Sequence, residues 1–127
     1  MPTAAPKAAK NSLLKSLKKL RYRKDYLVAQ AGVRAPSPGF LLLVHNRDDG
    51  QIDTRVGFTV TKKIGNAVVR NRLKRRLRAL ARLSLNDISL AGADVVLVGR
   101  PAGLTRRFGH MQADVEKSLE RLKHARR

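Results

Sequence analysis

The chain has 127 residues, 43% of them hydrophobic, with 28 Lys or Arg against 9 Asp or Glu, a formal charge of +19 and no cysteine. That length holds one domain with a real core, the missing cysteines exclude disulfides and thiolate metal sites, and the charge works against compactness and implies a polyanionic partner. No stretch approaches ~18 consecutive apolar residues and the lysine-bearing N-terminus lacks a signal peptide's apolar core, so the reading is a soluble cytoplasmic protein with no membrane partner.

Residues 1–11, rich in Ala, Pro and Lys, read as a disordered basic arm and 12–127 as the single domain. Leu13, Leu14, Leu17 and Leu20 hint at a helix, half-solvated because six Lys and Arg fall between Lys15 and Lys24. A firmer helix is expected from Arg23 to Ala31, closed by Gly32 as a left-handed cap, with Pro36, Pro38 and Gly39 marking a loop. Phe40 to His45 has the length and composition of a strand, and Asn46 to Gln51 carries an Asp-Gly turn signal. Arg55 to Thr61 alternates, with Val56, Phe58 and Val60 on one face, so these two runs read as an antiparallel pair.

Gly65 and Asn66 break that strand and offer an N-cap to a helix over Ala67 to Leu83. Its apolar residues Val69, Leu73, Leu77 and Leu80 share one narrow face, while Arg70, Lys74, Arg78, Asn71, Arg82 and Arg75 follow in angular order across roughly 140° of the remaining surface. Ala93 to Val98, apolar without alternation, reads as a strand buried on both faces, and a last helix from about Thr105 to Lys123 carries Phe108, Met111, Val115, Leu119 and Leu122 on one stripe. The order α, β, β, α, β, α gives an α/β two-layer sandwich with a small mixed sheet. A partly open sheet face beside the basic helix would form a groove.

The helix and its approach hold eight Lys or Arg between Thr61 and Arg78, and no acid occurs from Arg55 to Asn86. A merely solvated helix face mixes signs to gain spaced ion pairs; this one suits phosphates, which guanidinium forks bind bidentately with release of counterions. Lys62, Lys63 and Gly65 can form a phosphate-contacting turn at the helix N-terminus, and Asn71 can bond a base edge, a phosphate or a ribose hydroxyl. Tyr26 and one of the sheet phenylalanines are the candidates for stacking on single-stranded bases. The acids do not converge as a metal nuclease requires, His45, His110 and His124 lack metal-site spacing, and there is no glycine-rich nucleotide loop or nucleophile triad. No catalytic or metal-binding residue is expected in the chain itself.

RVGFTVTKKIGNAVVRNRLKRRLRAL, Arg55 to Leu80, resembles the signature of the bacterial ribonuclease P protein family: a strand, KK-x-G-NAV, then an RNR-x-KR-x-x-R helix. The likeness extends over about residues 20 to 123, through the Asp25-Tyr26 pair, the strand ADVVLVGRP and the closing helix. It implies a fold like the second domain of ribosomal protein S5, with a left-handed βαβ crossover against the usual hand. It also implies a subunit of an endoribonuclease that removes the 5′ leader from precursor tRNA. In such an enzyme the chemistry belongs to a catalytic RNA and its Mg²⁺, with no organic cofactor and one protein per RNA.

By this resemblance Lys62, Lys63, Asn66, Arg70, Asn71, Arg72, Arg75 and Arg76 contact the catalytic RNA, and Tyr26, Phe40, Leu42, Lys74 and Arg78 the leader. Gln30 stands where the family often has a second aromatic, which leaves stacking weaker or carried by apolar side chains such as Leu42 and Val44. The alternative from a different class is a small ribosomal or nucleoid protein using the same helix on other nucleic acid.

Overall fold

A computed structural model describes residues 17–85 and 92–125; the N-terminal arm, Leu13, Leu14 and Asp87 lie outside the described residues. In chain order the elements are β1 (Leu17–Lys19), α1 (Arg23–Gln30), β2 (Val33–Pro36), β3 (Phe40–Asn46), β4 (Thr54–Thr59), α2 (Ala67–Ser84), β5 (Ala93–Gly99) and α3 (Phe108–Ala125). Short 3-10 turns at Lys62–Ile64 and Pro101–Leu104 precede α2 and α3, and the second of them delays the start of α3 beyond Thr105.

The strands form one mixed sheet in the order β1-β4-β5-β3-β2. β4 and β5 are parallel neighbours joined through α2, the expected βαβ unit. β5 is central because it is apolar on both faces, with Ala93, Val95 and Leu97 toward one helix layer and Val96 and Val98 toward the other side. The expected antiparallel pairing of β3 with β4 is corrected: β5 lies between them, antiparallel to β3 from Phe40↔Gly99 to Asn46↔Ala93. A local turn signal reverses the chain, but a strand that needs partners on both edges then claims the space between. The connection must therefore span two strand spacings, ~9.5 Å. Arg47 holds it, donating from Nη1 to the Ala93 carbonyl at 3.1 Å and from Nη2 to the Asp53 carbonyl at 2.7 Å.

Two strands stand where none was expected. Residues Leu17 to Lys19 add to β4 in parallel, Leu17↔Thr54 to Lys19↔Val56, in place of the anticipated helical segment. Val33 to Pro36 pairs antiparallel with β3, from Val33↔Val44 to Pro36↔Leu41, where a loop was expected. It is an edge strand, the position in a sheet that tolerates proline. Helix α1 also ends differently from expectation. Its last turn passes through Ala31 in the right-handed region, with φ −85°, and Gly32 is required instead because a Cβ there would collide with the Val44 carbonyl oxygen.

One face of the sheet carries α2 and α3 over the main core, where Phe40, Leu42, Val44, Val95 and Leu97 meet Leu73, Leu77, Leu80, Met111, Val115 and Leu119. Among the described residues the other face carries the eight-residue α1 alone, which packs through Ala29 and Tyr26 on Leu41, Leu43 and Val96, with Leu20 beside them.

Candidate nucleic-acid interface

Helix α2 begins at a built cap. Asn66 is extended, and its side-chain oxygen accepts the Val69 N–H at 3.0 Å, satisfying one of the first-turn donors. From that start the period of the sequence buries Leu73, Leu77, Leu80 and Ala81. Asn71, Arg72, Arg75, Arg78 and Arg82 are exposed, and Arg70 and Lys74 are half-buried. Lys62 and Lys63 stand exposed on the 3-10 turn just before the helix. The cationic face thus runs unbroken from the turn along α2, and no acid lies on it.

Arg76 departs from this pattern, and its expected place among the RNA-contacting residues is corrected. Its guanidinium turns inward and donates to the carbonyls of Leu104, at 3.4 Å, and Arg106, with Nη2 also 3.3 Å from the Met111 sulfur. It closes the end of the Pro101–Leu104 turn against α2, so both terminal nitrogens are bonded within the protein, while its Nε is buried without a partner. Beside it Arg106 forms a two-point pair with Asp114, at 2.7 and 3.2 Å, and the carboxylate's hydrogen bonds raise the arginine above its ordinary pKa.

A cleft of about 620 Å³ opens where β1 ends and leaves β4 as the sheet edge. Lys18, Lys19, Tyr26, Val56, Gly57 and Phe58 form one side, and Lys74, Arg78, Ala81 and Arg82 of α2 the other. Leu20 continues the line of β1 by donating its N–H to the Val56 carbonyl at 2.9 Å, and the Tyr26 hydroxyl donates to the Leu20 carbonyl at 3.2 Å. Tyr26 lies against Gly57, where a Cβ would stand 2.5 Å from the phenolic oxygen and 2.6 Å from the ring carbon that bears it. Any Cβ there would force the ring to shift.

The cleft therefore brings together Tyr26, Lys74 and Arg78, but not Phe40 or Leu42. Those two, and Val44 with them, are corrected to the core: Phe40 and Leu42 are 0% exposed on the face under α2 and α3. The alternation of β3 puts Leu41 and Leu43, not Phe40 and Leu42, on the α1 side. Lys18 and Lys19 are cleft residues that sequence reasoning did not assign, and of the two sheet phenylalanines considered for stacking it is Phe58 that lines the cleft. Phe58 was legible as a sheet phenylalanine on the Val56 face, but the lysines depended on recognising a three-residue strand.

Among the described residues no group of three or more His, Cys, Asp or Glu is placed to hold a metal ion, and no helix is long and apolar enough to cross a membrane. The family model described as Ribonuclease P matches residues 14–123. A ribonuclease P protein component of Erythrobacter litoralis is 46% identical over 108 residues, covering 84% of this chain and 87% of its own length. One from Gluconacetobacter diazotrophicus is 44% identical over 104 residues, covering 81% and 89%. Among solved structures, the RNase P protein of Thermotoga maritima superposes with a TM-score of 0.66 at 26% identity, covering 82% of this chain and 96% of that one. That of Staphylococcus aureus gives 0.66 at 23%, covering 83% and 94%, a likeness of fold.

Proposed function

The chain belongs to the bacterial ribonuclease P protein family, and from that membership we propose that its two cationic surfaces have separate tasks within the ribonucleoprotein. As a member it is the protein component of an endoribonuclease whose partner is an RNA. The exposed residues Lys62, Lys63, Asn71, Arg72 and Arg75, with Arg70, bind the catalytic RNA. The cleft receives the single-stranded 5′ leader of precursor tRNA. One protein serves one RNA in the cytoplasm, and Mg²⁺ held by the RNA supplies the chemistry.

The observation that supports this best is the make-up of the cleft: Tyr26 and Phe58 stand among five cations, Lys18, Lys19, Lys74, Arg78 and Arg82, with no acid in the lining. Aromatic rings offer stacking to bases of any sequence, and flanking cations track a phosphate backbone. Such a site holds a strand without reading it closely. It raises affinity for substrate over mature product and lessens phosphate repulsion, so that less magnesium is needed.

The test is cleavage of an end-labelled precursor tRNA at low magnesium by the matching catalytic RNA alone, the protein alone and both together. Cleavage at the mature 5′ end in the combined reaction, with the protein alone inactive, is the expected result. Cleavage by the protein alone would mean an active site in the chain, and no stimulation of the RNA would favour a ribosomal or nucleoid role.

A further inference from the structure

We infer that Arg55 is a positioning residue for the leader cleft, acting through Asp25 to fix α1 and so the place of Tyr26; this rests on the reading of the cleft given above. Arg55 leaves β4 on the α1 side of the sheet, two residues before the Gly57 on which Tyr26 rests. Its Nε and Nη2 take the two oxygens of Asp94, each at 2.6 Å. Asp94 is 2% exposed and also accepts from Arg47 Nη1 at 3.0 Å, so this carboxylate is held from two sides in the body of the sheet. The bidentate bond to Asp94 raises the Arg55 pKa above its ordinary value and keeps the fork charged. Only Nη1 is left, and it faces the Asp25 carboxylate at 3.5 Å.

Asp25 immediately precedes Tyr26 in the first turn of α1. The helix has eight residues, one of which, Ala29, is fully buried, and its N-cap residue Tyr22 makes no side-chain cap bond. A helix seated by so little apolar surface can rock on the sheet. The pairs Asp25–Arg55 and Tyr26–Gly57 fix its first turn to β4 at two adjacent points, and β4 forms the floor of the cleft. Three of the nine acids of this +19 chain, Asp25, Asp49 and Asp94, gather with Arg47 and Arg55 at this end of the sheet. The cluster anchors a helix, and its two arginines are committed to carboxylates within it.

The test uses the full chain assembled with its catalytic RNA, in the variants Asp25→Asn and Arg55→Lys. Asp25→Asn leaves the Arg55–Asp94 bond untouched, and Arg55→Lys keeps the charge but loses the fork. Two quantities are measured: the ratio of affinities for leader-bearing and mature tRNA, and the NMR ring resonances of Tyr26 in the free protein. The ratio is expected to fall by about fivefold in Asp25→Asn, the upper end for a partly exposed ion pair, with affinity for the catalytic RNA unchanged and the Tyr26 resonances shifted. The double variant should be no worse than Arg55→Lys alone if that change already removes the contact that Asp25→Asn breaks. An unchanged ratio with unshifted resonances, or equal losses toward leader, mature tRNA and catalytic RNA, would overturn the inference. Absence of any leader preference in the wild-type assembly would remove the cleft reading and this inference together, whereas a wild-type preference retained by both variants removes the inference alone.

Discussion

The ring of Tyr26 lies on the backbone of Gly57, so close that a Cβ at that position would stand 2.5 Å from the phenolic oxygen. Because the same hydroxyl is bonded to the Leu20 carbonyl, the ring has little room to retreat. Gly57→Ala is therefore expected to lift Tyr26 and the first turn of α1. It should cost about 1–3 kcal/mol, as overpacking does, and reduce leader preference. Urea unfolding and leader-dependent binding measured on the same protein check both effects.

Adjacent arginines on α2 should behave oppositely. Arg75 is exposed, and Arg75→Ala should leave stability within about 0.5 kcal/mol while weakening RNA binding and flattening its salt dependence by close to one phosphate contact. Arg76 holds the carbonyls of Leu104 and Arg106, and Arg76→Ala should destabilise by about 1–3 kcal/mol through those unsatisfied groups. Thermal unfolding beside a salt titration of RNA affinity separates the two residues.

Much of this was legible because α2 is long, free of acids and strongly periodic, and because β5 is apolar on both faces. Arg76 was legible too: it lies three residues after Leu73 and four before Leu80, which places it on the apolar face and not on the ridge. The parity of β3 was not resolved by its composition, since Phe40 to Val44 is apolar throughout and offers no alternation to say which side faces which layer. β1 was hidden for a different reason. Three residues with two lysines have no strand signature of their own, and pairing with β4 supplies the conformation.

The misassigned β3 residues lead to a contrast. Leu42→Ala should cost about 2–5 kcal/mol as a cavity in the main core, yet leave leader preference intact at temperatures where the variant is folded. Replacing Lys18 and Lys19 together by Ala should do the reverse, with stability preserved and affinity for leader-bearing substrate lowered most at low salt. Binding isotherms at two salt concentrations, with melting curves, distinguish them.

Asp94 is the buried centre of the Arg47–Arg55 cluster, and Asp94→Asn would leave two arginines without their shared carboxylate. Removing one partner of a buried ion pair costs about 3–5 kcal/mol, so the variant should be among the least stable of the single substitutions, as read by its melting temperature.

The leader cleft is tested most directly by equilibrium binding of the assembled ribonucleoprotein to precursor tRNA and to mature tRNA, for the wild-type chain and for Lys74→Ala with Arg78→Ala. The wild type should prefer the precursor, and the double variant should lose most of that preference while binding mature tRNA as before. Equal preference in both proteins would contradict a leader site between β4 and α2.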